Sequence, residues 1–291
     1  MQRPKAHLID FSGLFFRYYF APGPEIFNED GWDVSTVLGC TRWLLNQDEF
    51  FSADVVVVAF DESLGSGFRH HIDEDYKANR PLPTDDIIYQ FSCLKSVCEF
   101  LGFQVLASDV YEADDLIAVA KNQLPDHEVL IHTRDKDLRQ LLGEHVSMLD
   151  FVSGKNWTES LLMEEEGLRP DQVPLYLALV GDASDNIQGI PAVGDKTAKL
   201  LIEHYDNWDG ISKAIDEEEM LPVRGAKRIA ENLLAFADLI PHNLSLTLLQ
   251  NDSDIAQVAL RQPAEWDELD AFIDLVGLNK PLSKLLQRVR S

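Results

Sequence analysis

Apolar residues follow two rhythms along the first half of the chain. Short β-branched or apolar runs at 7–9, 55–60, 103–106, 129–132 and 146–149 predict strands. Between them, helical spacing runs over 34–46, 87–101, 113–122 and 138–142. Strands this apolar, alternating with helices, predict an α/β fold with a mostly parallel central sheet covered on both faces. From about Leu161 the strand signal stops. Short helices follow, punctuated at Arg169-Pro170, Gly189-Ile190-Pro191, Leu221-Pro222 and Ile240-Pro241. The expected organisation is an α/β domain over 1–165 and an all-α region over 166–291.

Composition narrows the class. The chain has 291 residues, 45% hydrophobic and 26% charged, as in an ordinary globular protein. Cys40, Cys93 and Cys98 lack metal-type spacing and read as buried thiols of a reducing cytosol. No apolar run is long enough for a membrane span, and the histidines show no zinc spacing, so a cytoplasmic protein without a membrane partner is expected. The 50 Asp and Glu against 25 Lys and Arg give a net charge of −25, which argues against nucleic acid held by bulk positive potential.

The placement of the acids changes that picture. Asp10 and Asp61 end the first two predicted strands, and Asp135 and Asp137 follow the fourth. Glu112, Asp114 and Asp115 follow the third and open a helix. In an open parallel sheet all of these arrive at the carboxyl edge, where active sites lie. Carboxylates gathered there would raise one another's pKa unless cations intervened. Oxygen ligands suit Mg²⁺ or Mn²⁺, and a pair of such ions about 4 Å apart serves phosphoryl hydrolysis. Asp182 and Asp185, in the all-α part, can reach the same point from a folded-back helix.

The segment from Gly189 to Thr197 is not a P-loop, because Asp195 separates Gly194 from Lys196 and no strand precedes it. A helix-hairpin-helix fits better, with helices over 172–180 and 195–205. Amides at such a helix start hold a DNA phosphate, and Lys196 and Lys199 lie on its first turns.

Together these motifs resemble the bacterial 5′-nuclease (flap endonuclease) family, both its short stand-alone members similar to exonuclease IX and the 5′-nuclease domain of DNA polymerase I. The resemblance rests on Leu8-Ile9-Asp10 with Arg17, Phe60-Asp61 with Phe68-Arg69, Tyr76-Lys77-Ala78-Asn79-Arg80, Glu112-Ala113-Asp114-Asp115, Asp135-Lys136-Asp137, and Gly181-Asp182 through Asp185-Asn186-Ile187 into Gly194 and Lys196-Thr197-Ala198. It implies a helical arch around 68–95 and a helix-hairpin-helix-type (H3TH) DNA-binding region. It further implies a Mg²⁺- or Mn²⁺-dependent 5′-3′ exonuclease and 5′-flap endonuclease, in which hydroxide generated at a bound metal attacks the phosphorus. Asp10, Asp61, Glu112, Asp114 and Asp115 would hold one ion, and Asp135, Asp137, Asp182 and Asp185 the second. Lys77 and Arg80, one turn apart on the arch helix, would assist catalysis with Asp115. Arg17, Arg69, Tyr76 (by stacking on a base), Gly189, Gly194, Lys196 and Lys199 would contact DNA. The carbonyls of Ile190 and Val193 would hold K⁺. The expected partner is branched or flapped duplex DNA with a 5′ single strand, met by a monomer, with a DNA polymerase acting in trans.

Three departures stand out. Arg134 replaces a usual small residue, Gln188 a frequent Pro, and Ala192 a frequent Gly at the hairpin. A non-catalytic branched-DNA-binding module and a related metal-dependent ribonuclease remain as alternatives. Nine of the 50 acids have metal roles in the main reading, and the others read as surface acidity.

Overall fold

A computed structural model describes residues 3–63 and 65–290. Its first half alternates as expected. Strand β1 (Lys5–Asp10) leads into helices α1 (Phe11–Tyr19) and α2 (Ser35–Leu45), then β2 (Val55–Asp61). Helices α3 (Phe68–Ile72) and α4 (Asp85–Phe100) precede β3 (Gln104–Ser108), and α5 (Ala113–Asn122) precedes β4 (Glu128–His132). Strand β5 (Val146–Leu149) and the two-residue β6 (Asn156–Trp157) complete a sheet of order β3-β2-β1-β4-β5-β6, parallel except for β6.

The strands are apolar on both sides because both faces are covered. Ala6 and Leu8 face a core with α5, whereas Ile9, Val56 and Val58 face one built with α1, α2 and α4. Strand order reverses between β1 and β4, so a crevice opens there at the carboxyl edge. Asp10, the last residue of β1, and Thr133, just past β4, flank it.

After α6 (Glu159–Glu166), helices α7 (Val173–Val180), α8 (Asp195–Tyr205), α9 (Trp208–Asp216), α10 (Ala226–Ala235) and α11 (Leu239–Thr247) enclose a separate core. Two expectations need correction here. Gly181–Asp182 and Ile187–Gln188 form a small antiparallel ladder, β7 and β8, where no strand was expected. Helices α12 (Trp266–Leu275) and α13 (Asn279–Arg290) do not join the helical region, because Leu269, Ile273, Leu282 and Leu286 pack into the sheet's first core.

Within the expected arch one placement needs correction. Residues 68–72 (α3) and 85–95 (most of α4) are helical, but Lys77 and Arg80, expected one turn apart on a helix, lie in the turn between the two. The 75–79 segment closes a turn on itself, with Ala78 N–H on the Asp75 carbonyl, and also bonds to the loop after β7: Lys77 N–H donates to the Asp185 carbonyl, the Asn79 side-chain amide to that of Ala183, and the Asn186 side-chain amide to that of Asp75. Lys77 adopts φ +53°, which a helix does not allow.

Candidate metal centre

The site is built from strand ends upward. Asp10 caps α1 by accepting the Gly13 N–H at 3.0 Å, and its other oxygen accepts the Thr133 hydroxyl at 2.8 Å. A Cβ on Gly13 would lie 2.7 Å from an Asp10 oxygen, so a larger residue there would force the capping carboxylate to shift. Asp61, ending β2, accepts from the Ser63 amide and hydroxyl. Glu112, preceding α5, accepts Lys77 Nζ at 2.8 Å and the Tyr76 hydroxyl at 3.0 Å. Asp10, Asp61, Glu112, Asp114 and Asp135 line one cleft of about 540 Å³, with Phe16, Phe20 and Leu82 on its apolar wall.

Asp182 and Asp185 approach from the helical region. Asp182 accepts Lys136 Nζ at 2.9 Å and the Ser184 hydroxyl at 2.6 Å. Asp185 accepts Arg80 at 2.6 Å and the Tyr76 hydroxyl at 3.1 Å, with Lys77 Nζ 3.7 Å away. Tyr76 and Lys77 thereby join carboxylates of the two halves.

Electrostatics divide these acids into two sets. Burial, then the charges of Asp135 and Asp61, pushes Asp10 up to about 6. Burial, then Asp135, Asp185 and Asp182, pushes Asp137 up to about 8. Asp61, Asp114 and Asp135 move upward too, led by desolvation in the cleft. Burial acts the same way on Glu112 and Asp182, but Lys77 and Arg69 overcome it at Glu112, and Lys136 at Asp182, leaving both below the usual carboxylate range. Burial opposes the charge on Lys77, yet Glu112, Asp185 and Asp61 hold its ammonium above its ordinary value.

The donor set fits hard divalent ions. It is all oxygen, several members cannot all ionise without added positive charge, and Asp137 Oδ1 is buried without a partner among the described residues.

Four residues assigned by resemblance are engaged within the protein. Asp115 is 0% exposed, does not line the cleft, and is paired with Arg69 at 2.6 Å. Arg69 is 2% exposed and cannot reach a DNA phosphate from this position. Tyr76 is 3% exposed, packed on Ile187 and Leu246, and has no free ring face for a base. Arg17 donates to the Phe151 carbonyl at 2.6 Å.

At the hairpin, Gly189 packs so closely on α7 that a Cβ would meet the Val180 carbonyl oxygen at 2.0 Å. Gly194 caps the open start of α8, and Lys196 is exposed there. Lys199 is ion-paired with Asp195 at 2.8 Å and with Glu166. The Ile190 carbonyl accepts Val193 N–H at 3.0 Å, and Ala192 takes φ +66°, a conformation that favours glycine.

Sequence reasoning missed Thr133 and Lys136 as partners of the acids. Lys136 stood inside the quoted Asp135-Lys136-Asp137 motif, and a lysine between two aspartates was the available signal. It also missed a buried imidazole pair. His7 Nδ1 lies 2.9 Å from His132 Nε2, and one donor of each lies within 4.8 Å of a Glu49 oxygen. Spacing along the chain cannot reveal it, because the β1–β4 register brings the rings together.

Two family descriptions match the chain: "5'-3' exonuclease, N-terminal resolvase-like domain" over residues 5–169, and "5'-3' exonuclease, C-terminal SAM fold" over 168–270. DNA polymerase I of Mycobacterium tuberculosis is 33% identical over 94% of this chain, and the thermostable DNA polymerase I of Thermus aquaticus 34% over 84%. The chain spans only 30% and 28% of those relatives' lengths. Among solved structures, T5 5′-exonuclease with bound zinc shares the fold at a TM-score of 0.66 and 22% identity, covering 99% of this chain and 98% of that one. The catalytic core of Rad2 in complex with DNA substrate does so at 0.68 and 14%, covering 99% and 93%.

Proposed function

Since the chain belongs to the 5′-3′ exonuclease family, we propose that it is a Mg²⁺- or Mn²⁺-dependent nuclease that hydrolyses DNA at 5′ ends and 5′ flaps. The observation that carries this reading is a cleft at the switch point lined by five sheet-edge carboxylates with Lys77 and Arg80, in which Lys77 and Tyr76 link Glu112 to Asp185 of the helical region. Asp10, Asp61, Glu112 and Asp114 would hold one ion, and Asp135, Asp137, Asp182 and Asp185 the other. Bound there, such ions polarise a phosphoryl oxygen and lower the pKa of a coordinated water.

The remaining work falls to this chain's own residues. Lys77 and Arg80 present fixed positive charge where negative charge develops on the scissile phosphate. Lys77 stays protonated throughout the neutral range, because Glu112 and Asp185 stabilise its ammonium. The amides at the start of α8, with Lys196, hold a duplex phosphate. K⁺ at the hairpin would use the second lone pair of the Ile190 carbonyl, with that of Val193. The enzyme would work in the cytoplasm, as a monomer on branched DNA.

The test is cleavage of an end-labelled 5′-flap duplex in Mg²⁺, with Ca²⁺ and an RNA flap as control arms. Turnover on the DNA flap that disappears in Asp135→Asn supports the reading. Binding in Ca²⁺ without turnover in Mg²⁺ or Mn²⁺ would make the chain a branched-DNA-binding module, and preferential RNA cleavage would make it a ribonuclease.

A further inference from the structure

We propose that Arg69 and Asp115 form a buried positioning pair for the metal-holding end of α5, and that Asp115 lies outside the ligand set. The inference deepens the nuclease reading above and rests on it. It begins from a count of lone pairs. A carboxylate offers about four acceptor sites. Those of Asp115 take Arg69 Nη1 at 2.6 Å, Arg69 Nη2 at 2.9 Å, the Glu112 N–H at 3.2 Å and the Gln250 N–H at 2.9 Å. None remains for a cation.

Arg69 is committed in the same way. Nε donates to the Leu246 carbonyl at 2.7 Å and Nη2 to that of Leu248 at 3.3 Å, while Nη1 lies 3.5 Å from Glu112 Oε2. One guanidinium thus ties α3 to α5 and to the segment leaving α11. Burying such a pair gains little stability over apolar residues of the same volume, so its use is the geometry it imposes. That geometry acts on Glu112, whose amide is held by Asp115 and whose carboxylate lies beside Arg69. The neighbouring Asp114 faces the cleft instead. The Glu112-Ala113-Asp114-Asp115 motif therefore divides into two residues that meet the metal and one that aims them.

Calorimetric titration with Mn²⁺, well below the melting temperature, tests this on wild type, Asp115→Asn, Arg69→Met and the double variant, alongside kcat and KM on the 5′-flap duplex. The expected result is unchanged Mn²⁺ stoichiometry, with affinity and kcat lowered about 10–100-fold in either single variant, as for other residues that orient metal ligands. KM should stay near wild type, and the double variant should lose no more than the worse single one. If Arg69→Met does not fold because Asp115 is left charged and alone, the double variant, which buries no charge, supplies the comparison. Loss of one Mn²⁺ equivalent in Asp115→Asn would make Asp115 a ligand and overturn the proposal. Wild-type Mn²⁺ affinity in the double variant would overturn it too, leaving the pair a purely structural role. A wild type that binds Mn²⁺ but cleaves nothing would defeat the nuclease reading, while the affinity comparison would still decide this inference.

Discussion

Apart from Glu112, which Lys77 and Arg69 compensate, the two halves of the carboxylate cluster solve the same electrostatic problem in opposite ways. On the sheet edge and just after β4, Asp10, Asp61, Asp114, Asp135 and Asp137 are crowded together and pushed above their usual range. At the end of β7 and in the loop that follows it, Asp182 and Asp185 arrive with protein cations attached, Lys136 on one and Arg80 and Lys77 on the other. Uncompensated acids ask for an external cation, and compensated acids already have one. The crowded set should therefore dominate metal affinity, and the paired set should adjust it.

Neutralising one member of each set is the strongest way to break this contrast. Asp114→Asn and Asp135→Asn should lower flap cleavage by about 10²–10³-fold, the scale of removing one preorganised electrostatic group from a reacting centre. Both should also raise the melting temperature of the metal-free protein, because like-charge repulsion is relieved. Asp182→Asn should lower cleavage less and leave or reduce stability, since it strands Lys136. Equal kinetic losses with equal melting shifts would erase the distinction. The same contrast predicts that Mn²⁺ stabilises the wild type at pH 8 by roughly 2.7 kcal/mol at a hundredfold excess over Kd. Thermal melts across a Mn²⁺ series measure it, and the shift should shrink most in Asp114→Asn.

How far the sequence anticipated this arrangement depends on the kind of contact. Asp10, Asp61 and Glu112 were legible because they end or follow apolar runs, and parallel strands must deliver them to one edge. The fates of Arg69, Tyr76 and Asp115 were not, because a partner 46 residues distant in sequence, as Arg69 is from Asp115, leaves no trace in local spacing. The i, i+3 spacing of Lys77 and Arg80 suggested a helix, yet Pro81, Pro83 and the hydrogen bonds to 183–186, one from the Lys77 amide and the others from side chains, favour a turn. The two cations still converge on Asp185, by a different backbone route. Helices α12 and α13 were covered only by the all-α expectation for 166–291, which does not say which core Leu269, Ile273, Leu282 and Leu286 would join.

pH sharpens the comparison further. A carboxyl whose folded pKa is raised keeps its proton in the native state after the unfolded chain has lost it. The metal-free fold must then lose stability as pH rises from the unfolded value near 4 toward the folded value, about 6 for Asp10 and about 8 for Asp137. Burial acts oppositely on the imidazole pair, holding His7 down to about 4 and His132 to about 3, so those rings cost stability as pH falls below about 6.5. Between pH 6.5 and 8 the carboxyls act alone. Denaturant unfolding in chelator should show stability falling by about 1–2 kcal/mol across that window. Saturating Mn²⁺ should flatten or reverse the slope, and a flat profile in chelator would mean that the crowded acids do not hold protons.

The smallest expected effect tests the compensated side. Lys136 is half exposed, so its bond to Asp182 at 2.9 Å is partly screened by water. Lys136→Met should therefore cost less than about 1 kcal/mol of stability. Its informative consequence is electrostatic. Without that ammonium, burial is no longer offset at Asp182, and its carboxyl should rise toward the range of the crowded set. The variant should consequently gain more melting temperature from Mn²⁺ at pH 8 than the wild type does, although it begins slightly less stable. An unchanged Mn²⁺ response would mean that Lys136 is a surface partner only, and that Asp182 is held down by the Ser184 amide and hydroxyl instead.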